Sequence, residues 1–203
     1  MSSKCIRDTV NKVKSKYQET DPFRLAAAMH ILVQKMPMGN SPTCCKGFCM
    51  TESRKTCIVI NCDLPDIIQQ IILIHEIGHA VLHQRTMQVK CFHDFELFDG
   101  VSQCEYEANC FAADYLLEDE DVLEKLNANM SFFQAASELQ VPPELLDFKF
   151  RMMKRNGVQI VGTNYAMQIG LFFVINIALL LVCSLVKKVT KRSTKSKGGL
   201  SWQ

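Results

Sequence analysis

The sequence contains ten cysteines among its 203 residues but no Cys-x-x-Cys pair. Closed structural zinc sites are commonly built on such pairs. The cysteines that cluster in the first third of the chain are therefore interpreted as small packing residues and not as a second metal site. They are Cys44, Cys45, Cys49, Cys57 and Cys62. The first 18 residues are charged and lack the apolar stretch of a secretory signal, which predicts a reducing compartment and free thiols.

Acidic residues are absent after Asp147, whereas six of the 23 basic residues follow residue 186. Residues 1–165 carry a net charge of 17 − 21 = −4, and the remainder carries +6. This asymmetry argues against a protein that coats nucleic acid with a generally basic surface. Residues 166–186 are 21 residues without a charge, which predicts one transmembrane helix. Residues 187–203 form a basic tail suited to an anionic membrane face.

Helical periodicity dominates the chain, and strand-like segments occur only in its first third, as ILVQKM, GFCM and TCIVIN. The pattern predicts an α+β fold that is mostly helical with a small N-terminal sheet. Two helix starts have explicit signals: Asp21 as an N-cap before Pro22, and Ser131 with Gln134 as a capping box. The predicted organisation is a domain at residues 1–160, a membrane helix at 166–186 and a tail at 187–203.

The segment IILIHEIGHAVLHQ carries the clearest chemical signal. On a helix, His75 and His79 are four residues apart and can offer their imidazoles to one metal ion. Glu76 projects beside the pair, where it can act as the general base on a zinc-activated water. Two histidines and a glutamate in such an apolar helix need partners, and a metal ion would supply them. A glycine inside a helix is costly, so Gly78 predicts a close approach by a neighbouring element.

A third ligand must come from outside this motif. The longer pattern with a glycine and a third histidine fails, because Leu82 and Arg85 hold those positions. The later segment CEYEANCFAADYLL offers Glu105 and Glu107 on different faces of one helix, and either carboxylate is a candidate. Asp114 lies seven residues beyond Glu107 and could orient a ligand from that face.

The pair HEIGHAVLH and EANCFAADYLL together resembles the ImmA/IrrE family of metallo-endopeptidases. The resemblance implies a zincin-like fold, a bound Zn²⁺ ion, and Glu107 as the third zinc ligand, with Glu105 as the alternative. It also implies cleavage of a protein partner, typically a helix-turn-helix repressor. By the same resemblance, His83 supports the site or ends the helix without being a ligand. His93 could contact a substrate oxyanion but is more simply an exposed loop residue.

Parts of the sequence are compatible with two other functions. The segment FFQAASELQVPPELLDFKFRMMKR could be a DNA-binding helix pair, with basic residues at Lys149, Arg151, Lys154 and Arg155. Its double proline and two carboxylates make a poor groove-reading face, so direct nucleic acid binding is not favoured. A membrane-tethered zinc module without catalysis is disfavoured by Glu76. The positive-inside rule alone would place the basic tail in the cytoplasm and the catalytic domain outside. Because no export signal is found and the many free cysteines suit a reducing interior, we instead expect a tail-anchored protein whose catalytic domain faces the cytoplasm.

Overall fold

A computed structural model of the chain describes residues 1–41, 44–52, 55–83, 102–127 and 130–159. These residues belong to one compact unit, Met1–Val161. The predicted membrane segment 166–186, the tail 187–203 and His93 lie outside the described residues. No helix among the described residues has the length and apolar character needed to cross a bilayer. The domain boundary at residue 160 and the membrane helix stay predictions.

The described residues form seven helices around one small sheet. The helices are α1 Ser3–Tyr17, α2 Pro22–Ala28, α3 Asp66–Leu82, α4 Gln103–Leu116, α5 Asp119–Asn127, α6 Phe132–Glu138 and α7 Pro143–Arg155. The strands are β1 Leu32–Met36, β2 Gly47–Glu52 and β3 Lys55–Asn61. The predicted α+β class with a small N-terminal sheet is confirmed. Both predicted caps are present: Asp21 accepts from the Arg24 amide, and Ser131 and Gln134 form a capping box.

The strand order in the sheet is β1-β3-β2. β1 runs parallel to β3, and β2 pairs with β3 as an antiparallel hairpin. Ile58 and Ile60 on β3 are fully buried, and α3 packs against both β3 and β2. The sheet therefore forms one wall behind the helix that carries the histidine motif.

The helix α3 lies at the centre of the domain and packs most extensively against α4. Gly78 lies at this contact. A Cβ added at Gly78 would lie 3.2 Å from the Cβ of Phe111 on α4, tighter than ordinary van der Waals contact. The predicted close approach at Gly78 is confirmed, and it brings α4 alongside the histidine motif.

An ionic network with a buried centre, formed by Lys149 and Asp114, ties α1, α4, α5 and α7 together. Lys149 on α7 is only 2% exposed, and its Nζ lies 2.7 Å from Asp114 Oδ1 and 2.6 Å from Asp119 Oδ1. Arg7 on α1 donates to both carboxylates, at 2.8 Å to Asp114 Oδ1 and 2.8 Å to Asp119 Oδ2. The suggestion that Asp114 orients a metal ligand is therefore wrong: its carboxylate holds Lys149 and Arg7.

Candidate metal centre

His75 and His79 lie one turn apart on α3, with their Nε2 atoms 3.0 Å from each other. The carboxylate of Glu105, on the first turn of α4, reaches the same point. Its Oε2 lies 3.1 Å from His79 Nε2 and 3.3 Å from His75 Nε2. Among the described residues, this trio is the one cluster of three or more His, Cys, Asp or Glu side chains placed to hold a metal ion.

The chemistry of these three donors fits a zinc ion. Tetrahedral bonds of about 2.0–2.1 Å would hold ligand atoms about 3.3–3.4 Å apart, close to the distances observed. His75 Nδ1 lies 2.8 Å from Asn109 Oδ1, which can only accept, so Nδ1 carries the hydrogen and Nε2 presents a lone pair. Lone pairs and a carboxylate that converge in this way repel one another unless a cation lies between them.

Two members of the trio are partly exposed in the part of the chain that the structure describes. The His75 side chain is fully buried, whereas 13% of the His79 side chain and 26% of the Glu105 side chain are exposed. A catalytic metal needs a position left for water or substrate, whereas a structural zinc site is closed. The partial exposure of His79 and Glu105 is therefore the arrangement expected of a catalytic site.

Glu107 does not join this trio, contrary to the ligand set that the resemblance implied. Its Oε2 lies 2.9 Å from His83 Nε2, and its Oε1 accepts from Gln103 Nε2 at 2.7 Å and also contacts the N-terminal amine of Met1. Glu105 and Glu107 are two residues apart on α4, so they point to different sides of the helix. The rotation of α4 turns Glu105, the alternative, toward the histidine pair.

Asn109 is a site residue that the sequence reasoning missed. Its side chain is 1% exposed and holds His75 through the hydrogen bond from Nδ1. Asn109 lies four residues after Glu105, so both occupy the same face of α4. That spacing was the signal available in the sequence: a carboxylate and an amide at i and i+4, one to bind the metal and one to orient a histidine ligand.

Glu76 is 2% exposed and lies against β2. Burial, and then the negative charge of Glu105, raise the pKa of Glu76 to about 8, while a backbone hydrogen bond from Cys49 on β2 opposes the shift. Burial also raises the pKa of the Cys49 thiol to about 12, with Glu76 contributing. Cys49 is thus a neutral thiol beside the candidate base. It is one of eight cysteines in the described part of the chain that form no disulfide bond.

The surroundings of Glu105 and His75 lower the pKa of both groups. Burial disfavours the charged form of Glu105, but hydrogen bonds with His75 and His79 outweigh it and hold its pKa below the usual range. Burial lowers the pKa of His75. An ionised carboxylate beside a neutral imidazole is the protonation state that metal binding requires.

His83 ends α3 and lies behind the histidine pair. Its Nδ1 is 3.3 Å from His79 Nδ1, and its side chain is 8% exposed. Burial, and then the neighbouring His79, lower the pKa of His83 to about 4, so it is neutral near pH 7. The structure places His83 at the helix end and next to a candidate ligand, as the resemblance implied.

Comparisons with known proteins identify the family to which the chain belongs. Residues 26–151 match the Peptidase M78 family, described as the IrrE N-terminal-like domain. The chain is also 31% identical over 144 residues to an uncharacterized immunity region protein 2 of Bacillus phage phi105, across 71% of this chain and 88% of that protein. Since the family match covers more than half of the chain and includes both α3 and α4, this protein belongs to the Peptidase M78 (IrrE N-terminal-like) family.

Proposed function

We propose that the protein is a zinc-dependent endopeptidase that cleaves a regulatory protein. The observation that carries the proposal is the convergence of His75 Nε2, His79 Nε2 and Glu105 Oε2 on one point. Membership of a peptidase family supports hydrolysis of peptide bonds as the reaction. His75, His79 and Glu105 would hold the zinc ion, and Glu76 would act on the attacking water.

When bound, zinc supplies the Lewis acidity that makes water reactive near neutral pH. In its ionised form, Glu76 would take the proton of the attacking water and then pass it to the leaving amine nitrogen, where the peptide bond breaks. The backbone hydrogen bond from Cys49 keeps the carboxylate oriented for both transfers. Asn109 holds His75 in the tautomer whose Nε2 faces the site.

The edge of the sheet beside Glu76 suits an extended peptide. Within the described sheet, β2 pairs with β3 alone. The backbone N–H of Asn61 donates to the Lys46 carbonyl, so every second residue from Lys46 onward forms a hydrogen-bonded pair with β3. The residues between them, Gly47, Cys49 and Thr51, therefore direct their backbone N–H and C=O groups away from β3. A substrate strand that pairs with this edge would pass next to Glu76. This placement supports a protein or peptide substrate over a small metabolite.

The substrate that we infer is a transcriptional repressor. Two lines support it: the resemblance of the motifs to the ImmA/IrrE family, and the phage relative, whose name assigns it to an immunity region. Membrane tethering through residues 166–186, with the catalytic domain facing the cytoplasm, is part of the same proposal and rests on the uncharged length of that segment. A tethered enzyme would cleave partners that reach the membrane.

The alternative of a DNA-binding helix pair finds little support in α6 and α7. Lys149 is buried in the ionic network, Arg151 pairs with Asp147 at 2.8 Å, and Arg155 donates to the hydroxyl of Tyr106. Three of the four basic residues that motivated the alternative are therefore engaged within the domain. A zinc module without catalysis would leave the buried carboxylate of Glu76 without a role.

The test combines metal content with cleavage. Full-length wild-type protein should bind one zinc ion, and Glu105→Ala should lose it. Glu76→Gln should keep the metal and lose cleavage of a candidate repressor by a factor of about 100 or more, because the general base is gone. Metal analysis and mass spectrometry of the cleavage products measure both. Cleavage by Glu76→Gln at the wild-type rate, or full zinc occupancy in Glu105→Ala, would overturn the assignment.

A further inference from the structure

A chain of three side chains runs away from the metal centre behind His79. His79 Nδ1 lies 3.3 Å from His83 Nδ1, and His83 Nε2 lies 2.9 Å from Glu107 Oε2. His83 and Glu107 are both buried, at 8% and 3% exposure. The other carboxylate oxygen of Glu107 accepts from Gln103 Nε2 at 2.7 Å and contacts the Met1 amine. Both ring nitrogens of His83 and both carboxylate oxygens of Glu107 therefore have a polar partner.

The direction of each hydrogen bond follows from the two ends. His79 Nε2 faces His75 and Glu105 and must present a lone pair there to bind a metal, so its hydrogen is on Nδ1. His83 Nδ1 must then accept, which places the hydrogen of His83 on Nε2. That hydrogen is donated to Glu107, whose ionised carboxylate can only accept. One arrangement of hydrogens satisfies both contacts.

We propose that His83 and Glu107 are positioning residues that fix the ring orientation and tautomer of His79 and so strengthen metal binding. The proposal rests on the proposed zinc site. It gives Glu107 a role without making it a ligand, and it gives His83 a role beyond the end of α3.

The two histidine ligands would then be held by different means. His75 donates to the neutral amide of Asn109, a single short contact between α3 and α4. His79 donates through a second imidazole to a carboxylate, which makes its Nε2 the more electron-rich of the two. Removing a hydrogen-bond partner of this kind typically lowers metal affinity about 10- to 100-fold.

The test uses the full-length protein in detergent and measures Zn²⁺ affinity by competition with a chelator. His83→Phe keeps an aromatic ring but removes both hydrogen bonds, and we expect a loss of about 10- to 100-fold. Glu107→Gln keeps the shape and an acceptor oxygen but removes the charge, and a smaller loss is expected. Phe132→Leu, a change to a buried residue on α6, is the control for a general loss of stability.

A spectroscopic measurement separates positioning from packing. With Co²⁺ as the probe, the visible absorption bands should shift in His83→Phe and Glu107→Gln, because the orientation and basicity of His79 change. The same bands should be unchanged in Phe132→Leu. Wild-type affinity and an unchanged cobalt spectrum in both site variants would overturn the proposal.

The outcomes also distinguish this proposal from the proposed function. A wild-type protein that binds no stoichiometric metal would remove the zinc site itself. A wild-type protein that binds zinc, together with site variants that bind it equally well, would remove only the role of His83 and Glu107. Complete metal loss in Glu107→Ala beside full occupancy in Glu105→Ala would make Glu107 a ligand and overturn its positioning role.

Discussion

At the scale of single residues, Gly47 shows how closely β2 and α3 are fitted together. A Cβ added at Gly47 would lie 2.6 Å from Ile72 Cγ2 and 3.1 Å from the Val59 carbonyl oxygen. We expect Gly47→Ala to destabilise the domain by about 1–3 kcal/mol through overpacking. Urea denaturation of wild type and variant measures the difference in the free energy of unfolding.

A double-mutant cycle supplies the control for Gly47. Ile72→Ala alone should cost about 2–5 kcal/mol because it leaves a cavity in the core. In the double variant, the new methyl group at position 47 occupies part of that space. The double variant should therefore be destabilised by about 1 kcal/mol or more less than the sum of the two single variants. If the two destabilisations are strictly additive, contact with Ile72 is not the reason that Gly47→Ala destabilises the domain.

The two glutamates on α4, Glu105 and Glu107, show what the sequence alone cannot decide. The spacing of His75 and His79 was sufficient to predict that they meet, because both lie on one helix. The choice between Glu105 and Glu107 depends on how α4 is rotated against α3. That rotation is set by tertiary contacts, such as Phe111 against Gly78, which no local pattern encodes. The resemblance therefore pointed to Glu107, while the structure turns Glu105 toward the pair.

At the scale of elements, local signals predicted all three strands, the starts of α2 and α6, and the two helices that carry the histidine and glutamate motifs. Caps such as Asp21 and the Ser131–Gln134 box act within one turn, so the sequence alone reveals them. The order of strands in the sheet and the parallel pairing of β1 with β3 were not predicted, since they depend on contacts between distant segments. The buried network of Lys149 was missed for the same reason: its four members come from four helices.

That network leads to a prediction about stability. Lys149→Met would leave Asp114 and Asp119 to share Arg7 as their cation. Breaking a buried ion pair by removing one partner typically costs about 3–5 kcal/mol. Lys154→Met, a change to an exposed lysine on the same helix, is the matched control and should have little effect. Thermal or urea unfolding at neutral pH compares the two variants, and equal stability would show that the network contributes little.

The same network should make the domain sensitive to acid. Burial disfavours the charged form of Asp119, but Lys149 and Arg7 outweigh it and lower its pKa. A carboxylate with a lowered folded-state pKa adds stability above its unfolded value of about 3.9, and that stability is lost as the pH falls through the folded-state pKa. The difference in unfolding free energy between wild type and Lys149→Met should therefore narrow below about pH 4. A constant difference would contradict this account.

At the scale of the whole molecule, we expect the catalytic domain to bind zinc without the proposed membrane segment. A protein ending at residue 160 is expected to keep the wild-type zinc content but to leave the membrane fraction, because residues 166–186 are removed. Carbonate extraction followed by metal analysis measures both properties. Protease treatment of intact spheroplasts tests orientation: digestion of the catalytic domain from outside would contradict a cytoplasmic placement. A full-length protein that stays in the soluble fraction would remove the tether.

The helix α1 lies before the segment that matches the family, residues 26–151, yet its Arg7 completes the network around Asp114, Asp119 and Lys149. With Arg7, the group holds two positive and two negative charges. Without it, two aspartates, of which Asp114 is buried, share the single positive charge of Lys149. A relative that lost this helix would therefore carry an excess negative charge in the network. Loss of the helix and neutralisation of one of the two aspartates should consequently occur together in evolution, so that either change without the other is rarely retained.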